Sequence, residues 1–223
     1  MAFKSFPPFP PFTKISSLFL ALILSLVLAG AARAEPVRIV GFGDSLMAGY
    51  GLGPGEAFPE MLEDALRDGG ADVTVANAGV SGDTTSGGLA RLEWSVPAEA
   101  DIVILELGAN DMLRGIPPAS TEKNLDAIIE KLTGRGQRVV LAGMLAAPNL
   151  GPDYAAAFNP IYPRLAEKHG LTLIPFFLDG VAAETALLQS DGMHPNADGV
   201  ARMVERMLPL IRKTIDEQKE EEA

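Results

Sequence analysis

From Val37 onward, short apolar segments rich in β-branched residues alternate with amphipathic helical patterns. Strands that are apolar on both faces and are separated by helices form a parallel sheet with helices on each side. The sequence therefore predicts an α/β fold of three layers, in which a doubly wound parallel sheet of about five strands lies between helices. The predicted strands are Val37–Phe42, Val73–Ala76, Asp101–Leu107, Arg138–Ala142 and Leu171–Ile174.

Stripes of apolar residues at helical spacing predict the helices that connect and follow these strands. The predicted helices are Phe58–Leu66, a short helix around Leu89 and Leu92, Thr121–Leu132, Pro160–His169 and a last helix from Pro195 through Ile211. Ser120 or Thr121 is the expected N-cap of the third helix, because hydroxyl side chains satisfy the first free N–H groups. Pro195 suits the first turn of the last helix, where a missing N–H costs nothing.

Four polar clusters lie far apart along the chain, three of them directly after predicted strands and one before the last helix. They are Gly43–Leu46, Asn77–Thr84, Gly108–Asp111 and Asp191–Pro195. Ligands of doubly wound sheets bind beyond the carboxyl ends of the strands, so all four clusters are expected at one edge. A sheet with only a structural role has no need of them, and this edge is therefore the predicted functional site.

Ser45, Asp191 and His194 have the residue types of a nucleophilic catalytic site. A serine hydroxyl is a weak nucleophile that needs an adjacent base, and His194 is the only histidine expected at this edge. Asp191 can fold back onto the imidazole and fix its tautomer, as a triad acid does. Taken singly, the serine and the aspartate would be helix N-caps and the histidine an ordinary hydrogen-bonded side chain. Their combination at one edge favours the catalytic interpretation.

An acyl-transfer site also needs hydrogen-bond donors aimed at the developing oxyanion. Three candidates are the backbone N–H of Ser45, the backbone N–H of Gly82 and the side-chain amide of Asn110. In isolation, Gly82 would be a turn glycine and Asn110 an Asx turn. A nucleophile, a base, an orienting acid and three donors at one edge are much harder to obtain by accident.

These motifs resemble the four blocks of the SGNH, or GDSL, hydrolases, in the same order across the chain that follows residue 34. The resemblance extends to the branch of periplasmic acyl-thioesterase, lysophospholipase and arylesterase enzymes through the longer strings Gly43–Tyr50, Glu106–Gly115 and Ile161–Pro163. It implies a flavodoxin-like sheet, with Ser45 as nucleophile, His194 as base and Asp191 as its orienting acid. The oxyanion hole would then consist of Ser45, Gly82 and Asn110.

The resemblance further implies a serine ester hydrolase that forms an acyl-enzyme with carboxylic esters or thioesters, without a cofactor or a metal. The segment 112–118 would be a mobile loop beside the acyl pocket, with Met112, Leu113 and Ile116 as apolar contacts for the acyl chain. A plain turn that leads into the next helix explains this segment equally well. Two alternative functions stay open: a carbohydrate O-acetyl esterase of the same superfamily, and a non-catalytic ligand-binding domain of the same fold.

Several other classes of enzyme are excluded by residues that the sequence lacks. Without cysteine there is no thiol catalysis, no Cys-type zinc site and no Cys-ligated iron–sulfur cluster. The segment Gly41–Leu46 begins like a dinucleotide-binding fingerprint but lacks its third glycine. Neither a Gly-x-Ser-x-Gly nucleophile elbow nor a P-loop occurs. A metal site on Asp191 and His194 would lack a second nearby histidine. His169 ends a helix, where a cation is favoured by the helix dipole, and no catalytic role is assigned to it.

Residues 1–34 have the pattern of a signal peptide. Two lysines precede the apolar run Ile15–Gly30, and Ala32-Arg33-Ala34 is a small-x-small cleavage site. The expected organisation is a signal peptide at 1–34, a hydrolase domain at 35–215 and an acidic C-terminal tail at 216–223 that frays into solvent. Loss of the three leader cations would change the net charge from −11 to −14. An exported protein, periplasmic or secreted, without nucleic-acid or stable membrane partners is therefore expected.

The single tryptophan, Trp94, lies within the short helix predicted around Leu89 and Leu92. An indole of this size contributes most when its surface is buried. We therefore expect Trp94 to pack in the core or against a helix rather than to line a pocket.

Overall fold

The computed structural model describes Met1 and residues 35–222, and the chain divides by its contacts into Met1–Glu35 and Pro36–Ala223. All elements described below belong to the second unit. The predicted signal peptide lies outside the described residues except for Met1. Among the described residues, no helix combines the length and the apolar character that crossing a bilayer requires.

The predicted parallel sheet is confirmed, with five strands in the order β2-β1-β3-β4-β5. The strands are β1 (Val37–Gly43), β2 (Val73–Gly79), β3 (Ile102–Glu106), β4 (Arg138–Ala142) and β5 (Thr172–Ile174). All four neighbouring pairs are parallel, and the register pairs Gly41 of β1 with Ile104 of β3. The chain changes direction between β1 and β3, since β2 lies on one side of β1 and the later strands on the other. Such a switch point leaves a crevice between the two strand ends.

The burial pattern explains why these segments became strands. Every residue of the central strand β3 is buried, and such continuous apolar runs are typical of strands covered on both faces. The edge strand β2 alternates instead: Val73 and Val75 are buried, whereas Thr74 and Ala76 are exposed. Apolar side chains therefore cover both faces of the sheet at its centre, and the number of buried residues decreases toward the edge strand β2.

The helices cover both faces of the sheet. They are α1 (Ser45–Ala48), α2 (Phe58–Asp68), α3 (Thr85–Ser95), α4 (Ala109–Leu113), α5 (Pro118–Gly134), α6 (Pro152–Phe158), α7 (Ile161–His169) and α8 (Ala197–Glu222). On one face α2 packs against α8, and on the other α3 packs against α5 and α5 against α7. The connections run in opposite directions from β1, which is consistent with helices on both faces of the sheet.

The two helix starts that were predicted from capping residues or a first-turn proline were wrong. Helix α5 begins at Pro118, whose ring already fixes a helical φ, so neither Ser120 nor Thr121 is its N-cap. Helix α8 begins at Ala197 rather than at Pro195, because the Asn196 side chain accepts a hydrogen bond from the Gly199 N–H at 2.9 Å. Pro195 forms an isolated antiparallel bridge with Leu188 instead.

The acidic tail does not fray after residue 215 as predicted, because α8 continues to Glu222. Arg138 of β4 holds this last part of the helix: its guanidinium lies 3.7 Å from Glu217 and 2.6 Å from Glu221. The sequence pattern showed a run of like charges, and it could not show that a cation from another element neutralises them.

The prediction for Trp94 was also wrong, since its side chain is 92% exposed. Helix α3 buries Thr85, Gly88 and Leu92. Trp94 lies two residues beyond Leu92, about half a turn around the helix, and therefore faces solvent.

Candidate active site

The switch point brings the ends of β1 and β3 together with the helices that follow them. Ser45 begins α1 directly after β1, and Asn110 lies in the first turn of α4, after β3. Gly82, from the loop after β2, and His194, from the loop before α8, line the same cavity as Ser45 and Asn110. The four predicted polar clusters therefore meet at one edge, as the sequence predicted.

Ser45, His194 and Asp191 form a continuous hydrogen-bonded chain. The Nε2 atom of His194 lies 2.8 Å from the Oγ atom of Ser45, and its Nδ1 atom lies 2.6 Å from Oδ2 of Asp191. Hydrogen bonds from the backbone N–H groups of His194 and Met193 lower the pKa of Asp191 to about 2. Asp191 is therefore ionised at neutral pH, which favours the tautomer of His194 with its proton on Nδ1 and a free lone pair on Nε2 facing Ser45.

The loop that carries the histidine is fixed from several directions. The other oxygen of Asp191 accepts hydrogen bonds from the N–H groups of Met193 at 2.9 Å and of His194 at 3.0 Å. The Gln189 N–H donates to the carbonyl of His194 at 2.8 Å, and the Tyr50 ring lies against the imidazole with centroids 4.7 Å apart. These contacts hold the ring without help from a ligand. The packing role of Tyr50 has no signal in the sequence beyond its place in the first motif.

The serine owes its position to the short helix α1. Asp44 is the N-cap of this helix, and its Oδ1 atom accepts a hydrogen bond from the Leu46 N–H at 3.1 Å. Met47 is completely buried, which anchors the helix on the sheet. The Ser45 N–H donates to no acceptor within the part of the chain that the structure describes. It is therefore free to donate to a bound group beside the hydroxyl.

Gly82 lies in the connection after β2 and Asn110 in the connection after β3, but both border the same cavity. Gly82 has a φ of +81°, a conformation that L side chains rarely adopt, and its carbonyl accepts a hydrogen bond from Arg114 at 2.6 Å. Its N–H, like that of Ser45, has no acceptor among the described residues. The Asn110 amide donates one hydrogen bond to Oδ2 of Asp44 at 2.9 Å, and its second N–H is not used in this contact.

Asp111 anchors the helix that carries Asn110, a role that sequence reasoning missed. Its side chain is buried and accepts three hydrogen bonds: from the Thr85 N–H at 2.8 Å, from the Thr85 hydroxyl at 2.5 Å and from the Thr121 hydroxyl at 3.1 Å. Helices α3, α4 and α5 are thereby tied together beneath the site. These donors lie 26 and 10 residues from Asp111 in sequence, so no local spacing pointed to them.

A cavity of about 340 Å³ opens beside the serine and is lined mainly by apolar side chains. Its apolar lining consists of Leu46, Tyr50, Ala109, Met112, Leu113, Met144, Ala147, Leu178 and Met193. Met112 and Leu113 line the cavity as predicted, but they belong to helix α4 and not to the predicted loop.

Ile116 does not line the cavity, contrary to the prediction. It lies in the turn after α4, where its N–H donates to the Asp111 carbonyl and its carbonyl accepts from the Tyr154 hydroxyl at 3.0 Å. This turn directs the chain away from the cavity and into α5.

His169 lies in another part of the fold. Its Nε2 atom is 2.6 Å from Asp126, and Asp126, Glu130 and His169 could together provide oxygen and nitrogen ligands. The Lys168 ammonium group lies 2.7 Å from both oxygens of Asp126 and 3.8 Å from Glu130. It pairs with both carboxylates, so the cluster is an ordinary ion-pair network between α5 and α7.

Known proteins are similar to this chain in sequence and in fold. The family model described as GDSL-like Lipase/Acylhydrolase family matches residues 42–202. The chain is 42% identical to an arylesterase of Vibrio mimicus over 180 residues, which covers 80% of this chain and 90% of the relative. It is 36% identical to the thioesterase 1/protease 1/lysophospholipase L1 of Escherichia coli K12, over 85% of this chain and 91% of the relative.

Among solved structures, the chain is similar to AlinE4, an SGNH-hydrolase family esterase. The TM-score is 0.69 at 47% sequence identity, over 81% of this chain and 97% of AlinE4. The resemblance noted in the sequence is thereby confirmed. The chain belongs to the GDSL-like lipase/acylhydrolase family and is a carboxylic ester hydrolase of the SGNH type.

Proposed function

We propose that Ser45 attacks the carbonyl carbon of an ester or thioester and forms an acyl-enzyme. The His194 Nε2 atom takes the hydroxyl proton as the Oγ–carbon bond forms, and Asp191 stabilises the resulting imidazolium. The imidazolium then protonates the leaving alcohol or thiol as the bond to it breaks. Water, deprotonated by the same nitrogen, releases the acid and restores the hydroxyl of Ser45. One observation carries this proposal: the unbroken chain of 2.8 Å and 2.6 Å contacts from serine to aspartate.

The developing oxyanion would be stabilised by the N–H groups of Ser45 and Gly82 and by the Asn110 amide. This assignment is supported by the free backbone donors and by the fixed orientation of the amide against Asp44. Loss of one such donor typically costs about 10²–10³ in kcat.

The apolar cavity beside Ser45 would hold the acyl chain. A cavity of about 340 Å³ has room for about ten water-sized groups, at about 30 Å³ each. We therefore expect esters with acyl chains of up to about ten carbons to react fastest. The lining contains no aspartate, glutamate, lysine or arginine, which favours a hydrocarbon chain over an acetyl group on a polar sugar.

A substrate panel tests this choice. p-Nitrophenyl esters of rising chain length, an acyl-thioester, a lysophospholipid and an acetylated xylan are compared at the same enzyme concentration. The expected result is a kcat/KM that rises with chain length, levels off near ten carbons and is lowest for the acetylated sugar. A preference for the acetylated sugar would favour the carbohydrate esterase instead. No turnover of any member would favour a non-catalytic ligand-binding domain.

We also propose that residues 1–34 are removed on export and that the hydrolase domain begins at residue 35 and includes the whole of helix α8. The proposal rests on the apolar run that precedes Ala32-Arg33-Ala34 and on the compact unit that begins at Pro36. Sequencing of the protein recovered from the periplasm or the medium should give Glu35-Pro36-Val37 at the N-terminus. A cell-associated product that still begins at Met1 would contradict export.

A further inference from the structure

Glu106 is a buried acid to which the proposed chemistry gives no role. It ends β3, has no solvent exposure and lies directly beneath the site. Its Oε2 atom accepts a hydrogen bond from the Asp44 N–H at 3.2 Å, and its Oε1 atom has no hydrogen-bond partner among the described residues. An ionised carboxyl group that is buried with neither a cation nor several N–H donors is very costly, and Glu106 accepts from a single N–H among the described residues, so it belongs in its neutral form.

Gly43 leaves room for this carboxyl group. A Cβ atom at residue 43 would lie 2.5 Å from Oε2 of Glu106 and 2.6 Å from its carbonyl oxygen. Gly43 thus allows the end of β3 to approach the end of β1, directly before Asp44. The cluster Gly43–Leu46 therefore accommodates the buried Glu106 side chain and also positions Ser45.

Asp44 connects Glu106 to the candidate oxyanion donor. Asp44 is also completely buried, and it accepts hydrogen bonds from the Leu46 N–H and, at 2.9 Å, from the Asn110 amide. Glu106 contacts Asp44 through the Asp44 N–H and through a hydrogen bond between the two carboxyl groups, and Asn110 contacts Asp44 through its amide. Asp44 therefore links the buried acid to the amide at the cavity. An amide has two N–H groups, so the bond to Asp44 fixes the direction in which the other one points.

The proton of this acid pair belongs to Glu106. Burial raises the pKa of Glu106 well above its usual range, and the charge of Asp44 raises it further. Burial raises the pKa of Asp44 too, but the hydrogen bonds from Leu46 and Asn110 oppose that rise. Asp44 is therefore the anion of the pair, with Glu106 as its neutral partner.

We propose that Glu106 is a positioning residue: its neutral carboxyl group donates a hydrogen bond to Asp44, which in turn orients the Asn110 amide toward the oxyanion. This inference rests on the proposed function, because it assigns Glu106 a role through Asn110. Groups that orient a catalytic residue without touching the substrate typically account for about 10–100-fold in activity when they are lost.

Two substitutions separate the donor role from simple filling of space. In Glu106→Gln the new amide can both accept from the Asp44 N–H and donate to the Asp44 carboxylate, so it imitates neutral glutamic acid. We expect this variant to lose less than about 5-fold in kcat. Glu106→Met fills a similar volume without any donor, and we expect it to lose about 10–100-fold in kcat with little change in KM.

The decisive measurement is a double-mutant cycle with Asn110→Ala. If Glu106 acts through the amide, Glu106→Met should cost less than about 3-fold in kcat once Asn110 is alanine, because the orientation no longer matters. An equal cost of Glu106→Met in both backgrounds would overturn the inference. So would a loss of more than about 50-fold in folded Glu106→Gln, a result that remains informative if Glu106→Met does not fold. Wild-type activity of Asn110→Ala would instead refute the proposed oxyanion hole.

Discussion

Replacement of Asp111 by alanine should destabilise the protein and misplace Asn110 at the same time. The buried side chain of Asp111 accepts two hydrogen bonds from Thr85 and one from Thr121. Hydrogen bonds to charged groups contribute about 1.5–3 kcal/mol each, and a buried donor left without a partner adds its own penalty. Because the three bonds share one acceptor, their contributions are not additive. We expect a loss of about 3–5 kcal/mol in the free energy of unfolding.

Thermal and urea unfolding measure this loss. For a domain of this size each 1 kcal/mol lowers Tm by about 2–4 °C, so Asp111→Ala should melt roughly 6–20 °C below the wild type. At a temperature where the variant is still folded, kcat should fall by at least about 10-fold, since small displacements of a catalytic group are costly.

Asp111→Asn is the matched control. Its oxygen can still accept from the Thr85 N–H, and the hydroxyls of Thr85 and Thr121 can rotate to accept from the new amide. Its expected cost is about 1–2 kcal/mol. A free energy of unfolding for Asp111→Ala within about 1 kcal/mol of the wild type would refute the reasoning, because three buried hydrogen bonds cannot be lost at so small a cost.

Three further changes have defined outcomes. The folded-state pKa of Glu106 lies above its unfolded value of 4.5, so the unfolded state releases this proton first as pH rises. Urea titrations should therefore show that Glu106→Gln gains stability relative to the wild type above pH 4.5. A stability difference that stays constant with pH would contradict a neutral Glu106. The folded-state pKa of Asp191 is lowered from 3.8 to about 2, so any stability lost in Asp191→Asn should be present above pH 3.8 and shrink as pH falls toward 2; a Tm difference that grows on acidification would contradict this sign. Leu178→Trp should fill part of the cavity and reduce kcat/KM for ten-carbon esters by at least about 10-fold, while kcat/KM for acetate esters stays nearly unchanged. Equal losses for both kinds of ester would show that the acyl chain binds elsewhere.

The sequence was sufficient for the sheet and for the location of the candidate catalytic residues. Continuous apolar runs such as the one in β3 identify strands buried on both faces, and strand ends of a doubly wound sheet have a defined location. Ser45, Gly82, Asn110 and His194 could therefore be placed at one edge before their distances were known. The residue types indicated the chemistry, and the motifs indicated the order of these residues along the chain.

The supporting contacts could not be predicted because they connect residues that are remote in sequence. Asp44 is 62 residues from Glu106 and 66 from Asn110, so no spacing rule relates them. Arg138 stabilises the end of α8 from a separate strand. The run of acidic residues that was predicted to fray is helical for that reason. Local propensity describes the neighbours along the chain, whereas these interactions depend on the neighbours in space.

The proposed catalysis proceeds through an acyl-enzyme on Ser45. Its most direct test is to react the wild type and Ser45→Ala with one equivalent of a fluorophosphonate probe, locate the adduct by peptide mass spectrometry and measure kcat for both proteins. We expect one adduct per wild-type chain on Ser45, no adduct in Ser45→Ala, and a loss of at least about 10⁴-fold in kcat for the folded variant. Rapid labelling of another residue, or near-native turnover by Ser45→Ala, would contradict the mechanism.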